Sequence, residues 1–238
     1  MRRLFLSLLS GLAVLSACAL EIDYSNDSKV AAGIKIGSST HPSLDIEIGA
    51  SYRPFRYIGV NASFTYITPF KSRKDFIDNI PPKGEIYSKI NNYKDGCYGF
   101  AAKAGLQFTT PAVMVSKNEM GVSLRVSPGI TIPIPTNKTI AITNTERIII
   151  EDDQGEHEYY IYHSKNDVTN SGAKFCYWYV RSELVLEFEE QWEFCVGYTY
   201  SNIDLYGGSR NIEVNNTHLV ISDKKIHHTI SLGLTYKF

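Results

Sequence analysis

The chain has 238 residues, a length at which a single all-β barrel is ordinary and one or two domains are possible. A formal net charge of -1 at pH 7 and a pI near 6.6 argue against a nucleic-acid binder. Neutralising phosphates requires a basic face, which this charge balance does not supply. The function therefore has to be inferred from the order and patterning of the elements.

The first nineteen residues differ in charge and hydropathy pattern from the rest of the chain. Two arginines follow Met1, Leu4 to Leu15 is mostly apolar, and small residues come next, a pattern typical of a secretory signal peptide. The apolar stretch is shorter than the roughly 20 residues that a spanning helix needs. Two cleavage sites for the signal peptide fit the sequence. The four residues ending at Cys18 resemble a lipoprotein lipobox, which would leave Cys18 lipidated, whereas Ala17-Cys18-Ala19 fits ordinary signal peptidase.

The remainder, predicted as one domain over 20–238, alternates between segments with period-two apolar patterning and polar connections. These segments predict eight β-strands: Val30 to Gly37, Leu44 to Arg53, Phe55 to Thr68, Cys97 to Thr109, Met120 to Ile134, Lys174 to Phe188, Gln191 to Leu205, and Ile226 to Phe238. The connections are unequal, and the long ones are Pro69 to Gly96, Pro135 to Ala173 and Tyr206 to Lys225. Short turns opposite long loops are typical of membrane β-barrels.

Each predicted strand has one apolar and one polar face, because successive side chains of a strand point to opposite sides of the sheet. The charged residues of the polar faces are Lys35, Lys103, Arg125, Arg181, Asp45, Glu47, Glu183, Glu187 and Glu193. In a soluble sandwich these would form the solvated face. In a narrow eight-stranded membrane barrel they would point inward and have to pair, because a buried charge without a partner is very costly.

Aromatic residues favour the membrane alternative. On the apolar faces they concentrate near strand ends, with Tyr52, Phe108, Phe188, Trp192, Phe194, Tyr236 and Phe238 at the turn side, and Tyr66, Tyr98, Trp178, Tyr198 and Tyr200 at the loop side. Two such girdles match the two interfaces of a bilayer.

The last ten residues, Thr229 to Phe238, resemble the terminal strand of outer-membrane β-barrel proteins. In layout the chain from about residue 20 is similar to the small OmpA/OmpX-type barrel family. The resemblance implies an antiparallel up-and-down transmembrane β-barrel in the outer membrane of a Gram-negative cell envelope. It also implies Tyr236 and Phe238 as a signal read by the barrel-assembly machinery. Outer-membrane lipid is the other expected partner, and we expect a monomer with an unidentified extracellular ligand.

Two features depart from that layout. The pattern of the insertion at Pro135 to Ala173 predicts a hairpin around Asp152 to Gly155. If its two strands crossed the membrane, the barrel would have ten strands and not eight. We predict an extracellular hairpin, because Asn144 and Glu146 would otherwise face lipid, at a cost of up to a few kcal/mol for the acidic group. Pro128 lies within the fifth strand, where it removes a ladder donor and predicts a bulge or kink.

The leading hypothesis is a non-enzymatic outer-membrane barrel with a closed, charge-filled interior and a structural or surface-binding role. A second is a lipid-modifying enzyme at the outer rim, for which Ser222, Asp223, His227 and His228 are the candidate residues, although their spacing is non-specific. A third is a soluble barrel or sandwich anchored through a lipid on Cys18. No cofactor is predicted, and no metal site, because adjacent strand residues such as His227 and His228 point to opposite faces.

Overall fold

The structure is a computed structural model that describes residues 29–40, 43–69, 83, 85–90, 99–114, 120–152, 155–188, 191–218 and 226–238. The predicted signal peptide, Cys18, Ser222 and Asp223 lie outside these residues. The strands in chain order are β1 (Val30–Ser39), β2 (Ser43–Tyr52), β3 (Ile58–Pro69), β4 (Ile86–Ile90), β5 (Phe100–Thr109), β6 (Val113–Met114), β7 (Met120–Ile134), β8 (Thr139–Asp152), β9 (Gly155–Thr169), β10 (Tyr177–Phe188), β11 (Trp192–Ser201), β12 (Glu213–Val214), β13 (Thr217–His218) and β14 (His227–Lys237). A short 3-10 turn occupies Gly207–Ser209.

Eight long strands close into an antiparallel barrel. They pair in the order β10-β11-β14-β1-β2-β3-β5-β7, and β7 pairs back with β10 from Tyr177 opposite Thr131 to Phe188 opposite Met120. Closure leaves these strands without an open edge. The predicted eight-stranded, up-and-down architecture is confirmed.

The insertion predicted as a hairpin forms β8 and β9, which stay outside the barrel sheet. They pair with β4 in a separate sheet of order β4-β8-β9, referred to below as the external sheet. The alternative of ten membrane strands is therefore wrong. As the sequence predicted, Asn144 and Glu146 lie away from the lipid-facing wall.

Most strand bounds agree with the sequence pattern to within a few residues, with two corrections. The seventh barrel strand ends at Ser201, not at Leu205, because Ile203 and Leu205 turn inward and are buried at 3% and 1% exposure. The ladder between β5 and β7 lacks pairs at Ser127 and Pro128 but resumes in the same register, so no bulge shifts the strands there. Because proline has no backbone N–H, Pro128 leaves a gap in the ladder, but the register of the two strands does not change.

The two faces of the wall differ sharply in polarity. Outward-facing Ile48 and Ile230 are each 65% exposed, whereas inward-facing Glu183 is 1% exposed. Leaving so much aliphatic surface in water would be strongly unfavourable at about 25 cal/mol per Å². The wall therefore suits hydrocarbon outside and a polar lumen inside, which excludes the soluble sandwich.

Aromatic rings form clusters on the outer surface near both ends of the wall. At the turn end the Trp192 ring lies 4.9 Å from that of Tyr236. At the loop end Tyr66 lies 5.1 Å from Phe100, and Trp178 lies 5.3 Å from Tyr200. These positions match the two interfacial girdles of a membrane barrel.

Candidate functional site

The lumen is built by period-two alternation, which aims every second residue of each barrel strand at the axis. At the turn end, Lys237 Nζ donates to Glu187 Oε2 at 3.0 Å, and Ser123 Oγ donates to Glu187 Oε1 at 3.3 Å. Next to them, Glu193 accepts from Arg125 Nη2 at 2.6 Å and from Arg53 Nη2 at 3.3 Å.

The middle of the lumen continues the same chain of charges. Glu183 accepts from Lys35 Nζ, and its second oxygen lies 3.9 Å from Arg125 Nη1. Arg125 therefore links Glu193 to Glu183. All of these side chains are at least largely buried, and opposite charges within 4 Å compensate one another's loss of hydration.

Glu47 is the centre of the next group toward the loop end. Its Oε2 accepts from Lys103 Nζ at 2.8 Å, from Arg181 Nη2 at 2.5 Å and from Thr65 Oγ1 at 3.2 Å. Arg181 also donates through Nε to Thr199 Oγ1 at 3.2 Å. One carboxylate thus holds two cations, Lys103 from two strands away and Arg181 from directly across the barrel.

Asp45 anchors the polar group nearest the loop end. His227 Nε2 and Thr229 Oγ1 each lie 3.1 Å from Asp45 Oδ2, and Ser43 Oγ donates to Oδ1 at 3.0 Å. Ser39 Oγ extends the group through a 2.7 Å contact with Ser43 Oγ.

The structure thus brings every charged residue proposed for the interior into contact with an oppositely charged or imidazole partner. Three partners were not in the predicted set: Arg53, Lys237 and His227. The alternation of inward and outward positions along each strand would have predicted that all three side chains point into the lumen. Arg53 continues the inward positions of β2, and Lys237 and His227 share the inward face of β14 with Thr229 and Thr235.

A small polar recess with a cavity volume of about 40 Å³, partly open to solvent, remains in the lumen. On one side it is lined by small residues of β1, β2 and β3, including Gly33, Gly49 and Ser63, and on the other by Arg125 and Arg181. These short side chains leave room beside the ion pairs, and the polar lining suits ordered water.

An apolar cap closes the outer mouth above the charges. Ile67, Ala101 and Tyr177 from the wall pack with Ile203 and Leu205, which follow β11, and each of them is at most 4% exposed.

The cap segment is pinned by polar contacts at its base. Arg210 donates from Nε and Nη2 to the two carboxylate oxygens of Asp204, both at 2.7 Å. Asn170 Oδ1 accepts a hydrogen bond from the backbone N–H of Asn211 at 3.0 Å, and Asn170 Nδ2 donates to the Gly207 carbonyl at 3.3 Å. A bidentate pair of this kind fixes orientation as well as position.

The two adjacent histidines of β14 point to opposite sides of the wall. His227 faces the lumen beside Asp45, whereas His228 Nδ1 lies 2.5 Å from the Tyr198 hydroxyl on the outer surface. Within the described ranges no group of three or more His, Cys, Asp or Glu residues is arranged to hold a metal ion. Nor does the described part of the chain contain a helix long and apolar enough to cross a membrane.

The external sheet extends beyond the loop end, and within the described ranges its cover lies at its base. There Ile140, Ile142 and Val168 pack against Ile212 and Val214. Next to this contact, Asn215 of the turn between β12 and β13 donates to Ser88, which in turn donates to Asn144.

Beyond that point both faces of the external sheet are accessible. Register places these residues on the face that is buried at the base, called here the isoleucine face: Ile86, Glu146, Ile148, Ile150, His157, Tyr159 and Ile161. The opposite face, called here the tyrosine face, carries Tyr87, Arg147, Ile149, Glu158, Tyr160 and Tyr162. On the tyrosine face Arg147 pairs with Glu158 and lies 3.3 Å from the Tyr87 hydroxyl, and the Glu158 carboxylate raises the pKa of Tyr160.

An apolar outer wall with aromatic girdles around a charged lumen defines a transmembrane β-barrel of the outer-membrane type, embedded in outer-membrane lipid. No protein-family model and no curated protein matches the chain. Among solved structures it is similar to Neisserial surface protein A, with 12% identity, a TM-score of 0.40 and coverage of 88% of this chain and 94% of that one.

Two further solved structures show likeness of the same order. The N-terminal β-barrel domain of Pseudomonas aeruginosa OprF has 7% identity and a TM-score of 0.37, with 89% of this chain and 98% of that chain covered. Ail of Yersinia pestis, solved with the heparin analogue sucrose octasulfate, has 14% identity and a TM-score of 0.35, with 88% and 96% covered.

Proposed function

We propose that this outer-membrane barrel is a non-enzymatic, non-conducting anchor that holds the external sheet at the cell surface for binding. The observation that carries the proposal is the double closure of the lumen. Paired charges run along its length from Glu187 to Asp45 and leave a small recess, and the apolar cap containing Leu205 lies at its outer mouth. An ion crossing this barrel would have to displace paired side chains and then pass an apolar layer, and both steps are costly.

The surface-binding part of the proposal is supported by what the barrel displays. The external sheet leaves Tyr160 and Tyr162 on its tyrosine face, and Tyr159 and Ile161 on its isoleucine face, each more than half exposed. Contiguous exposed apolar surface of this kind marks interaction sites in soluble regions of proteins. A rigid, closed wall would fix the position of such a sheet relative to the membrane.

The lipid-modifying alternative gains no support from the described residues. His227 is enclosed with Asp45 below the cap, and His228 contacts Tyr198 among the rings of the outer girdle. Substitution of His228 by alanine is expected to leave envelope lipid composition unchanged. An altered acylation pattern in that variant would favour the enzyme instead.

Conductance across a planar lipid bilayer tests the closed anchor. We expect no stable conductance steps from the purified, refolded protein, and its folding should be verified by a heat-dependent shift in gel mobility. A variant in which Ile203 and Leu205 are both changed to serine removes the apolar layer and serves as the comparison. Stable ohmic steps from the native protein would contradict the proposal.

We also propose that residues 1–19 are removed on export, and that Tyr236 and Phe238 contact the barrel-assembly machinery of a monomeric barrel. Mass spectrometry of the mature N-terminus distinguishes an acylated Cys18 from a chain cut after Ala19. Phe238→Ser should lower the amount of assembled barrel in the outer membrane, while Phe55→Ser, at an equally exposed turn residue, should not.

A further inference from the structure

We infer that the isoleucine face of the external sheet is a docking surface for an apolar polypeptide segment with basic flanks, supplied by another molecule. This inference rests on the proposed surface-binding role and specifies the surface and the chemistry of its partner. The face is continuous with one that the protein itself already covers with a polypeptide.

The covered part of that face shows what fits it. At the base, Ile140 and Ile142 are 5% and 3% exposed because Ile212 and Val214 lie over them. The covering segment turns back at Asn215 and Asn216, both in the left-handed backbone region, with φ values of 53° and 60°. Among the residues that the structure describes, the sheet continues past this turn and no other segment covers it there.

Past the turn, apolar side chains of the same face are exposed to solvent around Glu146. Ile150, Tyr159 and Ile161 are 50%, 51% and 52% exposed, and Ile148 and Ile86 lie between them and the base. Register keeps all five on one side, since Ile148 pairs with Tyr159 and Glu146 pairs with Ile161. A second polypeptide laid in line with the β12–β13 hairpin would bury them as Ile212 and Val214 bury the base.

The charges near the tip of the β8–β9 hairpin indicate which kind of partner could bind the isoleucine face. Glu151 and Glu156 lie directly opposite each other in the ladder, and the side chains of Glu85, Glu146 and Glu158 are also exposed. Among the described residues nearby, the cations are Lys83 and Arg147, and Arg147 is paired with Glu158. Two copies would bring acidic tips together, and like charges at close range oppose association. An anionic lipid surface is disfavoured for the same reason, whereas lysine or arginine flanks on a partner would be attracted.

Two neighbouring residues give a matched pair of variants. Ile149 and Ile150 are each 50% exposed, but Ile149 belongs to the tyrosine face and Ile150 to the isoleucine face. Any general effect on the hairpin should therefore be the same for Ile149→Ser and Ile150→Ser. Only the second substitution removes contact area from the proposed surface.

The test is fluorescence anisotropy with the full barrel in lipid nanodiscs and a labelled peptide that has an isoleucine-valine core and lysine flanks. Ile150→Ser should weaken binding by about five- to tenfold, the effect of losing half a buried isoleucine, and Ile149→Ser should change it by less than about twofold. The same core with glutamate flanks, and a serine core with lysine flanks, should each bind at least about tenfold more weakly.

Three results of the binding experiments would overturn the inference, and a fourth comes from the orientation of the sheet. They are equal losses in the two variants, equal binding of the glutamate-flanked peptide, and concentration-dependent dimers of the native barrel that Ile150→Ser dissolves. A membrane-facing orientation would also overturn it, and would appear as quenching of an Ile150→Trp variant by brominated lipid without peptide. Conductance by the native barrel would refute the closed anchor, whereas failure of the peptide experiment alone would refute only this docking surface.

Discussion

Replacing Glu47 by glutamine should be among the most destabilising single changes in the barrel wall. The substitution keeps the shape of the side chain but removes the charge that faces Lys103 at 2.8 Å and Arg181 at 2.5 Å. Both cations are at most 13% exposed and would lose their closest anionic partner. Removing one member of a buried ion pair costs about 3–5 kcal/mol, because the remaining charge is left uncompensated.

Urea titration of the protein folded in lipid vesicles measures this loss, with the heat-dependent gel shift reporting the folded fraction. At about 1–3 kcal/mol per molar urea, a loss of that size lowers the midpoint by about 1–5 M. Glu158→Gln is the control, because its pair with Arg147 lies on the exposed external sheet, where ion pairs contribute little.

The refuting result is a Glu47→Gln midpoint no lower than that of Glu158→Gln. Adding Lys103→Gln to Glu47→Gln should restore part of the loss, because one of the two unpaired cations is then gone. A strictly additive double variant would indicate that the contact between Lys103 and Glu47 carries no energy of its own.

Three other substitutions have defined outcomes. Gly129→Ala should cost about 1–3 kcal/mol in the same titration, because the new methyl group would clash with the backbone carbonyl oxygen of Ala104 and stand 2.7 Å from the Tyr179 ring; an unchanged midpoint would show that both β5 and the ring give way at little cost. Leu205→Ala should increase proteolysis of the cap segment without unfolding the wall, since it removes a side chain that is 1% exposed, and intact resistance would mean that the cap is held by its polar contacts alone. Asn216→Gly should be tolerated, whereas Asn216→Val should lower stability by about 1–2 kcal/mol because of its φ of 60°; equal midpoints would contradict the left-handed turn.

The barrel was predictable because its signal repeats in every strand. Alternation alone decides that Leu232 and Leu234 face one side and Gly233 the other, and closure follows once the charged side is the one to be enclosed. Which carboxylate meets which cation was not predictable, because pairing across the lumen depends on stagger. Lys35 and Glu183 are 148 residues apart, and nothing in either local sequence refers to the other.

The loop end was predicted less well. Ile203 and Leu205 continue the alternation of β11 and were therefore assigned to that strand, although tertiary packing turns them over the mouth. The partnership of β4 with β8 was also missed, since Ile86 to Ile90 is short and carries little pattern. Short segments gain their structure from a neighbour and so leave a weak trace in the sequence.

The links across the lumen have a consequence for how the chain enters the bilayer. Glu47 binds Arg181 134 residues later, Arg53 binds Glu193 140 residues later, and Asp45 binds His227 182 residues later. An early fragment inserted by itself would therefore expose bare acids and bases to hydrocarbon. Inserting the strands one at a time is therefore energetically unfavourable for this sequence. The late strands have to pair with the early ones before the early ones enter the lipid.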